Sequence, residues 1–390
     1  MTAIAPAAAT GSWTTTAALP TPGSFAGQHD RPVQLDDGTV LVAGGADAAA
    51  APLARAARYH PDTGTWTATG ALHTARRLHT VTLLTDGKVL VAGGTGVGGA
   101  QFPPPALAAA EVYDPAAGTW TGTGNLHTAR FGHSAALLAD GSVLVAGGSA
   151  VRSGQSLTAL RSAERWDPDT GAWTEVGPMT DARTGHPAVV LGGGKVLVAG
   201  GSVPTGRDID AALAFCELYD PATGSWAPTG SLTVPRARHQ ATLVGTAVLV
   251  TGGTAPGPGG DGTFDPFARA TAELFNPATG AWTATEPMPA GRELHRAVPL
   301  DAGTVLVAGG TDGVRNAVGY QSALIYAAAD GTWSPAAGLA AGRWSFAAVA
   351  LADGRVLVTG GVARTGLAAG GGSAELAAST EVFTAGAGAP

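Results

Sequence analysis

Cysteine is nearly absent from this 390-residue sequence: Cys216 stands alone. No internal disulfide can form, and no thiolate cluster is available for zinc or iron–sulfur chemistry. Charge is also scarce, at 13% of residues, and what there is leans acidic, with 22 Lys+Arg against 29 Asp+Glu and a net charge of -7. Without a basic face there is no counterion release to drive nucleic-acid binding. Long apolar runs are missing too, so no segment reaches the length of a membrane span. The first ten residues lack the cationic and continuous apolar parts of a secretory signal. The expectation is a soluble, cytoplasmic protein, monomeric by default. What the sequence does have is glycine (59) and proline (26), with 45% hydrophobic residues. Such a chain is turn-rich and helix-poor yet apolar enough to bury a core.

Self-similarity organises the whole length. Gly-Gly pairs close apolar runs at Gly44, Gly93, Gly147, Gly200, Gly252, Gly309 and Gly360, and a tryptophan recurs at Trp13, Trp66, Trp120, Trp173, Trp226, Trp282 and Trp333. Within one copy, residues 133–148 read as two strands around an Asp140-Gly141 turn. A variable loop follows, then a second hairpin turning at Asp167-Pro168 and ending on Trp173. Four strands per copy and seven copies predict an all-β, seven-bladed β-propeller, one unit over 1–390. The last copy has no Trp-bearing strand of its own, whereas the chain opens with an unpaired Gly11-Ser12-Trp13. Residues 1–18 are therefore expected to complete blade seven, with blades one to seven in 19–390.

The strand ending in Gly-Gly, the Glu111-Val-Tyr113-Asp-Pro115 and Glu217-Leu-Tyr219-Asp-Pro221 stretches and the downstream tryptophan resemble kelch repeats, of the standalone kind known in bacteria. That resemblance implies the propeller fold. It leaves function open among protein-binding adaptors, sugar epimerases, nitrile specifier proteins and galactose oxidase-like copper enzymes. The last need a Cys–Tyr crosslink and ligands partly from another domain, and five tyrosines with a lone cysteine argue against them.

Strand directions put the loops after each Gly-Gly on one face with the blade-to-blade connections, opposite the tight turns. Their length and variety make this long-loop face the expected site of function, over the central channel. It carries a repeated Arg-x-x-His ending at His79, His133, His186, His239 and His295. Counted back from Gly-Gly, the same position is Asp30 in blade one and Phe346 in blade seven. Imidazoles with a carboxylate suit acid–base catalysis, which makes His29, Asp30, His79, His239 and His295 catalytic candidates. The five ring histidines are also a possible but unfavoured metal set, and no cofactor is otherwise expected. Duplication alone explains the same side chains, with a structural job between blades, and this reading outweighs the catalytic one because a site normally shows as a departure from the repeat.

Departures from the repeat gather at the seam of blades seven and one. Gln28, His29, Asp30 and Arg31 face Arg343, Trp344 and Phe346 there, a candidate pocket wall for a ligand. Arg207 in the blade-four loop, Asp265 in blade five, and Arg315 and Tyr320 in blade six are further substrate-binding candidates. Gly94-Thr-Gly96-Val-Gly-Gly99 imitates a dinucleotide fingerprint but leads into Pro103-Pro-Pro105 rather than a helix, so it offers no anion site. The expected partner is a small polar organic molecule, handled by isomerase, lyase or cyclase chemistry. The alternative is non-catalytic binding of a peptide, protein or glycan.

Overall fold

The computed structural model describes residues 10–27, 29, 31–97, 105–152, 156–206, 209–255, 268–313, 318–369 and 374–386. Seven four-stranded antiparallel sheets follow one another around a ring. Blade two is typical, with strands Thr80–Leu83, Val89–Ala92, Ala110–Asp114 and Thr119–Gly122 paired in chain order from the axis outwards. The second strand reads Val-Leu-Val-Ala in five blades, and all four residues are buried each time. A strand covered on both faces has no polar side to show, so it is continuously apolar rather than alternating. Core clusters accordingly lie between neighbouring blades: Leu90 and Ala92 of blade two pack with Val143, Val145 and Trp166 of blade three.

Ring closure follows the expectation from the chain ends. The strand Ser12–Thr16 pairs along its whole length with Thr380–Thr384, placing Trp13 opposite Phe383 as the outer strand of blade seven. The two rings lie 5.1 Å apart, and Trp13 Nε1 donates to the Ala337 carbonyl of blade six at 2.7 Å. Each other marker tryptophan pairs with an aromatic of the third strand or reaches a neighbouring blade in the same manner, as Trp120 does with Tyr113 and the Gly70 carbonyl.

The two faces differ in charge. The tight turns and the strand ends beside them hold twelve aspartates and five cations, an excess of seven. Each cation pairs with an aspartate there: Arg58 with Asp37, Lys88 with Asp86, Arg165 with Asp140, Lys195 with Asp220 and Arg355 with Asp353. Several of these carboxylates also accept backbone N–H bonds in their own turn, as Asp114 does from Ala116 and Ala117. On the long-loop face the connections carry extra hairpins, Ser149–Arg152 with Ser156–Ala159 in blade three and Val362–Arg364 with Glu375–Leu376 in blade seven. No helix among the described residues is long and apolar enough to cross a membrane.

Candidate functional site at the long-loop face

The Arg-x-x-His segment is a blade-to-blade joint. In four of the five, the buried arginine reaches a glutamate that opens the third strand: Arg76 to Glu111 at 2.6 Å, Arg130 to Glu164 at 2.6 Å, Arg183 to Glu217 at 3.1 Å, and Arg236 to Glu273 at 2.7 Å. Arg343 makes the same bond to Glu381, so this candidate ligand-binder is committed to the fold. The glutamate also collects two backbone N–H donors of the preceding turn, such as His127 and Thr128 on Glu164. Buried charge persists only where pairing and hydrogen bonds offset desolvation, and here both are met. The glutamates went unassigned in the sequence. The signal was there: blade one has lost both partners at once, with Gly23 in the arginine position and Ala57 in the glutamate position.

Between the arginine and the histidine the backbone turns left-handed. Gly132 and Gly185 supply that conformation at φ +60° and +62°, but Leu78 (+54°), Arg238 (+56°), Leu294 (+53°) and Ser345 (+49°) adopt it against side-chain strain. The reason is a collar of main-chain bonds around the channel mouth. Gly132 N–H donates to Leu78 O, Gly185 to Gly132, Leu294 to Arg238, Ser345 to Leu294 and Phe25 to Ser345, at 2.6–3.3 Å.

The ring histidines lie beneath this collar, enclosed. Each imidazole packs against the first glycine of the preceding Gly-Gly, where an added Cβ would stand 2.6–3.0 Å from Cε1. Those glycines sit at φ between +59° and +67°, so both shape and backbone demand them. His133 Nε2 meets Thr80 Oγ1 at 3.2 Å, His186 meets Ser134 Oγ at 2.9 Å, and His295 meets Thr251 Oγ1 at 2.8 Å. Burial, reinforced by the arginine of the same loop, lowers all five imidazole pKa values, His79 to about 3. They are neutral; His133, His186 and His295 meet hydroxyls of the neighbouring blade, whereas the ring nitrogens of His79 and His239 make no side-chain hydrogen bond among the described residues. Among the described residues no three His, Cys, Asp or Glu side chains converge as a metal would require.

The seventh-fold pattern needs one correction. Counting from Gly-Gly put Asp30 in the ring; the structure puts Phe25 there. Its ring lies against Gly360 as Phe346 lies against Gly309, so the ring holds five imidazoles and two phenyls. The count failed because blade one carries four extra residues between its collar position and its inner strand. Part of that insertion spans the channel. Val81 N–H of blade two donates to His29 O at 2.8 Å, and Ala188 N–H of blade four donates to His29 Nε2 at 3.1 Å. Arg31 reaches Gln240 Oε1 of blade five at 2.7 Å. From blade six, Arg296 donates to the carbonyls of Phe346, Phe25 and Gly27. His29 keeps some open surface, but desolvation, then Arg31 and Arg296, hold its pKa at about 3, the neutral form that can accept the Ala188 N–H.

The remaining candidates divide. Trp344 and Phe346 are buried, Trp344 against Val362, so the aromatic wall drawn from the sequence is core. Gln28, Asp30, Arg207, Asp265 and Arg315 lie outside the described residues. Tyr320 is the one that reaches a cavity. Its ring lies over the guanidinium of Arg292, 5.5 Å from Cζ to the ring centre. Arg292 is the buried arginine whose glutamate is missing, since Leu324 stands in that place and Pro289 replaces the N–H donor that a glutamate would have met. Desolvation lowers its pKa to about 10, so it stays charged at neutral pH. Beyond the Tyr320 ring opens a cleft of about 580 Å3 between the loops of blades six and seven. Val318, Tyr320, Gln321, Gly342, Arg364 and Glu375 line it. Desolvation first, and then Asp312, raise the Tyr320 pKa and keep the phenol protonated.

The chain is similar to known proteins in the parts that make the blade. Residues 130–180 match the Kelch motif family model. Human Kelch-like protein 34 is 31% identical over 196 residues, covering 50% of this chain and 28% of that protein. Kelch-like protein terF of Aspergillus terreus is 27% identical over 58% of this chain and 47% of its own length. The chain therefore spans less than half the length of these curated relatives. Among solved structures, a copper-bound fungal alcohol oxidase of the AA5 family superposes with a TM-score of 0.73 at 18% identity, over 96% of this chain and 76% of that one. At that identity the likeness concerns the fold. The repeated Gly-Gly strand ends, the Arg–Glu joints, the tryptophan ladder and these similarities together make the chain a kelch-repeat β-propeller.

Proposed function

We propose that this propeller binds a small polar organic molecule on its long-loop face, in the cleft between the loops of blades six and seven. The observation that carries the reading is the cleft itself, which brings a phenol, a guanidinium, a carboxylate and an amide to one cavity while the channel mouth beside it is spanned by the blade-one insertion. Polar groups converging in a concave site are what orientation of a small ligand requires. The ring histidines take no part in this reading. Proton transfer of an isomerase, lyase or cyclase type would fall to Tyr320 and Glu375, the titratable pair that a ligand there would touch. A monomeric ring in a reducing, cytoplasmic setting belongs to the same reading, supported by the lone buried Cys216.

Screening a library of polar metabolites by ligand-observed NMR tests it. Hits that vanish in Tyr320→Ala support the site; hits that persist, or no hits, overturn it.

One observation favours a second reading. Val97, Val151, Val318 and Leu367, the last 85% exposed, all lie on the long-loop face, where a peptide, protein or glycan partner would find apolar contact. Leu367→Glu would then abolish partner capture while leaving small-ligand binding intact, and Tyr320→Ala would do the reverse.

A further inference from the structure

The cleft is more selective in its charges than a generally polar site. Arg364 and Glu375 face each other across the blade-seven hairpin in direct register. Their charged atoms stand 3.7 Å apart, and each side chain is 53% exposed. The buried joints of the same fold hold Arg and Glu at 2.5–3.1 Å. This pair is loose, and exposed pairs of that kind contribute little to stability. A ligand bearing one charge would satisfy one partner and strand the other. A ligand bearing both would exchange one loose contact for two close ones.

Two further features fit a ligand with both charges and a side chain. Tyr59, Tyr113 and Tyr326 each bond a threonine through the hydroxyl, whereas Tyr219 Oη and Tyr320 Oη have no hydrogen bond among the described residues, and of these two only Tyr320 lines the cleft. Its ring is nonetheless fixed over Arg292, so a donor is held at the cleft without a partner. Val318, 54% exposed, adds an apolar wall. The floor is rigid: a Cβ on Gly319 would stand 2.3 Å from Arg343 N, and one on Gly342 would stand 2.0 Å from Gly319 O. Gly319 N–H also donates to Ala363 O at 2.9 Å, and Gln321 Nε2 to Ala340 O at 3.1 Å.

We propose that the cleft recognises a small zwitterion, an α-amino acid or a molecule with the same charge pair, with Arg364 taking the carboxylate, Glu375 the ammonium, and Tyr320 Oη a hydrogen bond to the carboxylate. This rests on the small-ligand reading above and narrows its chemistry.

The standard amino acids, each tested singly by isothermal titration calorimetry against the full chain, decide the matter. At least one should bind saturably, and its carboxamide and its N-acetyl derivative should each bind at least about tenfold more weakly. Arg364→Gln and Glu375→Gln should each weaken binding by about tenfold or more without moving the midpoint of unfolding of the free protein. Tyr320→Phe, which keeps the ring over Arg292, should weaken it several-fold. Failure of every amino acid to bind overturns the inference. So does equal binding of the amide and the N-acetyl form, or unchanged affinity in the two glutamine variants. If amino acids fail while another polar metabolite binds in a Tyr320-dependent way, the zwitterion inference falls and the small-ligand reading stands. If no small molecule binds, both fall.

Discussion

Acid should unfold this ring far more steeply than its aspartates would suggest. Five buried imidazoles, of His79, His133, His186, His239 and His295, have folded pKa values below the ordinary 6.5, first through desolvation and next through the arginine of their own loop. In the unfolded chain they take up protons near 6.5. Below that value the unfolded state therefore holds more protons than the folded one, and stability that is complete above it is lost as the pH falls. At about pH 5.5 each such group has withdrawn roughly 1.4 kcal/mol, and with His29, also held at about 3, the six together withdraw about 8 kcal/mol. That approaches the roughly 5–15 kcal/mol that holds an ordinary domain together. The carboxylates do not confuse the window. Asp37, Asp140 and Asp353 are depressed below 3.8 in the fold, so their contribution is lost only at lower pH. Guanidinium chloride unfolding at about pH 7.5, 6.5 and 5.5 measures the loss directly. A companion variant isolates one imidazole. His186→Phe places in blade four the residue that Phe25 and Phe346 already provide in blades one and seven, and it should reduce the loss between pH 7.5 and 5.5 by about one sixth. A total loss below about 2 kcal/mol, or a variant with an unchanged pH slope, would refute the reasoning.

Further outcomes follow from the joints, the closure and the ring. Glu164→Leu strands the Arg130 guanidinium and the N–H of His127, and should cost about 3–5 kcal/mol, seen as about 4–6 °C in Tm by calorimetry. Adding His127→Pro, which copies the Leu324 and Pro289 combination of blade six, should restore about 1 kcal/mol by removing the orphaned donor; strict additivity of the two changes would contradict this. Deleting residues 1–18 removes Trp13 and exposes the edge of Thr380–Thr384, so stability should fall by at least about 3 kcal/mol in denaturant unfolding and light scattering should show association. Dialysed protein should contain no stoichiometric metal by mass spectrometry, because the ring imidazoles are enclosed one per blade and no three ligand side chains converge among the described residues. A full equivalent lost in His79→Ala/His239→Ala would reverse that assignment.

The fold was legible because it is repetitive. Seven Gly-Gly pairs fix φ above zero and close contact at one point of each blade, and substitution there is sterically barred, so spacing alone counted the blades. The unpaired Trp13 strand revealed the closure for the same reason: a missing piece stands out against six complete copies. The site was less legible. Arg343 and Trp344 looked like surface departures, but their surroundings are set by Glu381 and Val362, which stand at sequence distances no periodicity links to a pocket. Phe25 was hidden by the four-residue insertion, which shifts the register on one side only. Tyr320 could be picked out as a loop aromatic. Arg364 and Glu375 could not, because only the hairpin pairing brings them to the same cleft.

Segregation of charge between the faces has a practical consequence. With an excess of seven aspartates on the tight-turn side, the molecule is a disc whose electric field points along its own axis. Near a positively charged support it should turn that side down and present the opposite one outwards, as a coin lands on its weighted face. Immobilisation on an anion-exchange surface would then preserve access to the long loops, and coupling through the amines of Lys88 or Lys195 would anchor it by the same tight-turn side.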